Sequence, residues 1–142
     1  MIENLIELLH IGKYSCVIMN KSEVRTFHLG GIADLLQYES AYLKGAVVAD
    51  KEVGLETAVL MVRGGVECVY ADVISKSALK LLYQAKIRTE YLQKVDFIEN
   101  GEKKSWYPLE LNFHKKWSIG KMLEAIQNLI KKKRLSVIPS GN

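Results

Sequence analysis

Residues 45–77 read GAVVADKEVGLETAVLMVRGGVECVYADVISKS, and the succession of patterns inside them decides the fold. Residues 45–49 (GAVVA) form a short, wholly apolar run, the mark of a central strand covered on both faces. Asp50, Lys51 and Glu52 stand at its carboxyl end. Residues 53–62 (VGLETAVLMV) are apolar nearly all round, which suits a helix buried against a sheet. Gly64 and Gly65 close that helix as a C-cap pair. Residues 66–74 (VECVYADVI) alternate and read as the next strand. Ser75 is a good N-cap for a helix over residues 76–84, and residues 87–92 (IRTEYL) alternate again. Strand, helix, strand, helix, strand in this order predicts an α/β fold: a parallel or mixed sheet with helices on its faces.

The flanking sequence fits around this unit. Residues 2–11 (IENLIELLHI) place Ile2, Leu5, Ile6, Leu8 and Leu9 at near-helical spacing, and Gly12 ends that short amphipathic helix. Residues 14–19 (YSCVIM), a turn at Asn20-Lys21-Ser22 and residues 23–28 (EVRTFH) predict an antiparallel hairpin that adds an edge to the sheet. Gly30-Gly31 opens a short helix over residues 32–38. Backbone N–H groups at such a start can face an anion, but no third glycine or P-loop lysine follows, and a flexible loop-to-helix junction accounts for the pair. Over residues 93–112 the pattern weakens to a short strand at 95–98, a polar loop at 99–105 and a break at Pro108. Ser118 then caps the best amphipathic pattern in the chain: Ile119, Met122, Leu123, Ile126, Leu129 and Ile130 follow helical spacing. Residues 131–134 (KKKR) complement the dipole at its end. With no repeat or linker to divide the chain, residues 1–112 are expected to form one α/β domain. Residues 113–142 are expected to be a basic C-terminal helix and tail packed on that domain.

A chain of 142 residues, 49% hydrophobic and 25% charged, can bury a core without disulfides or metals. The net charge of +4 is uneven. Residues 1–100 carry 11 lysines and arginines against 13 acidic residues, whereas residues 101–142 carry 9 against 3. Basic character therefore belongs to the C-terminal segment. Cys16 and Cys68 both sit in apolar, strand-like runs and read as buried free thiols of a reducing compartment. The first ten residues hold two glutamates and no lysine or arginine, the wrong start for a secretory leader. No apolar run is long enough to span a bilayer. The cytoplasm is the expected location, with no membrane partner.

The wording of the central stretch resembles a family of known fold. GAVVADKEVG, an apolar helix and then MVRGGVECVYADVIS are similar to an uncharacterised bacterial domain-of-unknown-function family within the cytidine-deaminase-like superfamily, whose members lack the zinc ligands. The resemblance covers about residues 10–95 and does not extend to the C-terminal helix. It implies a three-layer mixed sheet of cytidine-deaminase-like topology, with the C-terminal amphipathic helix as an addition. Active zinc deaminases carry H-x-E or C-x-E at the first helix and P-C-x-x-C at the second. Here Gly54-Leu55-Glu56 stands at the first place and Ile74-Ser75-Lys76-Ser77-Ala78 at the second. Gly54, Ser75 and Ala78 occupy the three ligand positions, and a catalytic zinc needs three protein ligands. Zinc-dependent deamination is therefore not expected, nor is any cofactor. Glu56 alone keeps a chemistry-bearing residue type and would be the acid/base group of any metal-free reaction.

No other constellation competes. His10, His28 and His114 fall on separate elements, neither cysteine lies at an electropositive helix start that would favour a thiolate, and no G-x-S-x-G occurs. In open α/β sheets ligands gather at the carboxyl ends of parallel strands. That edge would present Asp50, Lys51, Gly54, Glu56, Ser75 and Ser77. Two helix N-termini, an ammonium and hydroxyls suit a small anionic ligand such as a nucleotide or a sugar phosphate. Plain capping by Ser75, and Glu56 complementing a helix dipole, would explain some of the same residues. A second reading uses the basic C-terminus. Lys103, Lys104, Lys115, Lys116, Lys121 and residues 131–134, interleaved with Trp106, Tyr107 and Trp117, would form a nucleic-acid or protein-interaction surface, or a solvated helix face. The apolar stripe beneath them would also serve a homodimer.

Overall fold

The computed structural model describes residues 2–29, 31–32, 35, 38–98, 121 and 124. The predicted hairpin is formed by β1 (Cys16–Asn20) and β2 (Glu23–Phe27), paired antiparallel from Cys16↔Phe27 to Asn20↔Glu23. Its two-residue loop is Lys21-Ser22. Lys21 takes a φ of 55°, because a loop this short must turn in the sense that matches strand twist. β3 (Val47–Val53) pairs antiparallel with β1 and parallel with β4 (Cys68–Ser75), and β5 (Arg88–Val95) lies parallel to β4. The spatial order is β2-β1-β3-β4-β5. An antiparallel hairpin thus extends a three-stranded parallel unit into a five-stranded mixed sheet.

Four helices with described bounds accompany the sheet: α1 (Ile2–Ile11), α2 (Ser40–Leu43), α3 (Leu55–Gly64) and α4 (Lys76–Gln84). Strand alternation sends neighbouring side chains to opposite faces, and this separates two cores. On one face Val17, Ala49 and Tyr70 meet Leu5 and Leu9 of α1. On the other, Ile18, Val48, Val69 and Ala71 meet Leu55, Ala58, Val59 and Met61 of α3 and Ala78 and Leu82 of α4. Each fully buried Val, Leu, Ile or Met side chain contributes roughly 1.5–3 kcal/mol, so the α3–α4 face, with many more of them, dominates. The near-continuous apolar surface of α3 follows from its place inside this larger core. Residues 32, 35 and 38 are helical, in line with the short helix expected there.

The ends of α3 and α4 are closed by local chemistry. Gly65 adopts the left-handed conformation (φ 81°) and its N–H reaches the carbonyls of Met61 and Val62, the glycine C-cap expected from the sequence. Ser75 caps α4, its Oγ accepting from the Ala78 N–H at 3.2 Å. Tyr42 and Asn20 tie the hairpin to α2: Asn20 Nδ2 donates to the carbonyls of Tyr42 and Lys44, and the Tyr42 hydroxyl lies 2.9 Å from the Glu23 carbonyl.

Three details differ from the sequence reading. β3 does not stop at Ala49. Asp50, Lys51 and Glu52 continue its ladder, because Lys51 projects exposed on one face while Asp50 and Glu52 are only half-buried on the other. The expected short strand at 95–98 is not separate: β5 runs from Arg88 through Val95. Cys68 is half-buried rather than buried, though both cysteines are free thiols as expected. Cys16 pairs with Asp50 in the middle of β3 from one side and Cys68 with Val47 at its start from the other, so the two cysteines are separated by a whole strand. Among the described residues no helix is long and apolar enough to cross a membrane. Lys121 and Glu124 are helical and exposed; the rest of the expected C-terminal helix, its basic residues, the 99–105 loop, Pro108 and His114 lie outside the described residues.

Candidate functional site

The parallel pairing of β3 with β4 ends at Val53↔Ile74. The next residues, Gly54 and Ser75, are the N-caps of α3 and α4. Two helix N-termini therefore start side by side from adjacent strands, where aligned peptide dipoles concentrate positive potential. The two starts are built differently. Ser75, fully buried, closes α4 with its own hydroxyl, and its Oγ lies 3.3 Å from Ser77 Oγ. Gly54, also buried and extended, brings no capping side chain to α3. Glu56 follows in the first turn of α3 at 5% exposure, the one acidic residue in the described core.

Of the six residues singled out in the sequence, Gly54, Glu56, Ser75 and Ser77 gather at these paired helix starts. Asp50 stands in the middle of β3, four residues before Gly54, half-buried, with its Oδ1 accepting from the Glu52 N–H at 3.1 Å. Lys51 is exposed and, by alternation, leaves β3 on the α1 side of the sheet. Its N–H donates to the Ser15 carbonyl at 3.1 Å, so its backbone belongs to the ladder.

One neighbour of Asp50 escaped the sequence reading. Because β1 runs antiparallel to β3, its first residue, Cys16, falls opposite Asp50. Its thiol is almost fully buried and lies against Gly31, where a Cβ would come within 3.3 Å of Cys16 Cβ. Glu52 adds a third carboxylate. The periodicity of residues 14–19 carried no hint of this neighbourhood, which depends on a strand pairing across more than thirty residues. The three carboxylates do not converge: among the described residues no group of three His, Cys, Asp or Glu could hold a metal ion.

Two further polar clusters lie away from the helix starts. An open groove of about 440 Å³ is lined by Arg25, Thr26, Phe27, Leu35, Tyr38 and Glu39 at the β2 edge. Arg25 is engaged there by Glu23 and Glu39 and stacks 4.1 Å over the Tyr42 ring, leaving it poorly placed for an incoming anion. On the α1 side, His10 Nε2 lies 2.8 Å from Asp72 Oδ1, and the Tyr70 hydroxyl donates to the same carboxylate oxygen. Burial, with the Asp72 carboxylate beside it, pushes the Tyr70 phenol up to about 12. Burial likewise pushes the Cys68 thiol up, which keeps it protonated and poorly nucleophilic.

Comparison with known proteins bears on this geometry. The crystal structure of a DUF1893 family protein from Thermotoga maritima is similar, with a TM-score of 0.74 and 22% identity over 92% of this chain and 88% of that one; at this identity the likeness is one of fold. Acinetobacter baumannii RibD gives a TM-score of 0.43 at 17% identity, covering 63% of this chain and 33% of that chain. A diaminohydroxyphosphoribosylaminopyrimidine deaminase/5-amino-6-(5-phosphoribosylamino)uracil reductase from Thermotoga maritima gives 0.42 at 11%, covering 81% and 40%. This chain therefore spans less than half the length of those two proteins. A search of curated proteins gave no match. The family described as TM1506, a domain of unknown function (DUF1893), matches residues 4–130, nearly the whole length over which the strands and helices above are laid out, and the chain belongs to that family.

Proposed function

We propose that this chain is a small-ligand-binding domain of the cytidine-deaminase-like superfamily that does not carry out zinc-dependent deamination. The superfamily assignment rests on the element order, a hairpin followed by strand, helix, strand, helix and strand, and on the motifs of residues 45–75. The zinc implied by that resemblance does not fit the residues present. At the paired helix starts Gly54 has no side chain, Ala78 has no donor atom, and Ser75 Oγ is engaged with the Ala78 N–H. Tetrahedral zinc needs three nitrogen, sulfur or carboxylate ligands, and Glu56 alone cannot supply them.

The ligand is a small anion that also carries hydrogen-bond donors, as a nucleotide or a sugar phosphate does. The observation that carries this reading is the nearly buried Glu56 carboxyl beside two adjacent helix N-termini. Backbone N–H groups at the start of α3, where Gly54 lets a ligand approach closely, receive the anionic group. Glu56 accepts from a hydroxyl or amino group of the same molecule, and Asp50 and Ser77 line the approach. A thermal-shift screen of nucleotides and sugar phosphates tests this. A ligand at about a hundred times its Kd stabilises the folded protein by about 2.7 kcal/mol. Glu56→Gln abolishes the shift, while Lys51→Ala leaves it in place because Lys51 faces the other side of the sheet. A screen with no hit, or a shift untouched by Glu56→Gln, overturns the reading. Stoichiometric zinc in the purified protein overturns its metal-free part.

A further inference from the structure

The sheet ends at β5 among the described residues. Among the described residues β5 pairs only with β4, and Arg88, Glu90, Tyr91, Leu92, Gln93 and Lys94 are all exposed, Leu92 at 76%. An eight-residue edge with no proline, to which the described residues add no further strand, offers a row of N–H and C=O groups that another strand can complete. We propose that the strand that completes it is β5 of a second copy of this chain, added antiparallel about a two-fold axis at Leu92, so that two five-stranded sheets become one.

Charge selects both the partner and the register. With the axis perpendicular to the sheet, α1 of both copies lies on one side, and even-numbered residues of β5 face even-numbered residues of its copy. Centred on Leu92, Glu90 lies opposite Lys94 of the second copy, and Lys94 opposite its Glu90. Arg88 lies opposite Asp96, the exposed residue just past the strand, whose carboxylate sits 2.7 Å from Lys76 Nζ on its own chain. Leu92, the most exposed apolar side chain of the strand, covers its own copy. Moving the axis by one residue destroys this match. Centred on Tyr91, Arg88 meets Lys94; centred on Gln93, Glu90 meets Asp96. Cross-strand pairs of opposite charge stabilise an antiparallel ladder and like charges oppose it, so the sequence RTEYLQKVD admits one such register and opposes its neighbours.

The test uses the full chain in sedimentation equilibrium or light scattering at low salt. The wild type runs at twice the chain mass of 16.1 kDa, and dissociates more readily as salt screens the pairs. Glu90→Lys and Lys94→Glu each weaken dimerisation about tenfold or more, since each turns two symmetric attractions into repulsions. The double reversal Glu90→Lys/Lys94→Glu restores the dimer, because the reversed charges again face each other. Mixing the two single variants also gives dimers, which shows at once that both are folded. Along one strand positions 90 and 94 are about 13 Å apart, too far for the rescue to arise within a chain. A wild type that is monomeric at tens of micromolar overturns the proposal. So does a dimer indifferent to the single reversals, or a double variant as weak as either single one.

Discussion

Gly64 and Leu43 meet where a side chain has no room. A Cβ on Gly64 would lie 2.8 Å from both Cβ and Cδ1 of Leu43, which is itself fully buried. Leu43 cannot retreat without opening the contact between α2 and α3, so Gly64→Ala is expected to cost about 1–3 kcal/mol by overpacking. Its neighbour differs. At Gly65 the nearest atoms to an added Cβ are 3.6 Å away, and Gly65→Ala loses only about 1–2 kcal/mol, from holding an alanine in the left-handed conformation. Urea denaturation separates the two mechanisms. Returning Leu43 to a smaller residue, as in Leu43→Ala with Gly64→Ala, relieves part of the first cost, giving a double variant less destabilised than the sum. The same double cycle with Gly65→Ala is additive, and the absence of this contrast would remove the steric account. Capping chemistry of this kind is legible in a sequence because it is local: Gly65 and Ser75 fill the roles that their types and positions suggest. The neighbours of Asp50 were not legible. Cys16 reaches it through an antiparallel pairing, and Lys51 is turned from it by an alternation that the charged run Asp50-Lys51-Glu52 concealed.

At the scale of elements, α1 is held to β4 by apolar packing through Leu5 and Leu9 and by a polar junction of His10, Asp72 and Tyr70. The phenol of Tyr70 has its value pushed up from 10.0 to about 12, first by burial and then by the neighbouring Asp72 carboxylate. A raised value means that the folded state favours the neutral phenol. Its contribution to stability is complete below pH 10 and is lost as pH rises from about 10 to about 12. In a spectrophotometric titration Tyr70 is therefore expected to ionise late, near pH 12, and Tyr70→Phe removes that late step. Asp72→Asn moves it to lower pH. Over pH 10 to 12 the wild type loses more stability than Tyr70→Phe does; parallel losses would place the phenol outside the junction. Periodicity alone anticipated this helix and strand, along with the hairpin, α3, α4 and β5, because each has an apolar pattern matched to its own geometry. It misjudged the end of β3, since charge was read as a stop. A strand at a sheet end can carry half-buried Asp50 and Glu52 on one face and exposed Lys51 on the other without breaking its ladder.

For the molecule as a whole, the sheet order decides which parts hold together longest. β1, β3 and β4 have neighbours on both sides, and β3 and β4 lie between α1 on one face and α3 and α4 on the other. Opening them requires breaking two ladders and both cores, so their amides exchange only through the largest openings of the structure. Among the described residues β2 has one neighbouring strand, and its surface is mostly exposed, so its amides are expected to exchange orders of magnitude faster than those of β3. β5 also has one neighbouring strand among the described residues, and as a monomer its outward-facing amides behave like those of β2. Joined to a second copy at Leu92, the same amides sit inside a ten-stranded sheet and acquire a protection that rises with protein concentration. Hydrogen exchange read by mass spectrometry at two protein concentrations distinguishes these states. The expected result is slow, concentration-independent exchange in β3 and β4, fast exchange in β2, and concentration-dependent protection confined to β5 that Glu90→Lys abolishes and Glu90→Lys/Lys94→Glu restores. Protection of β5 that ignores both concentration and charge would mean that its outer edge is completed within one chain, whereas β2 exchanging as slowly as β3 would contradict the layering itself.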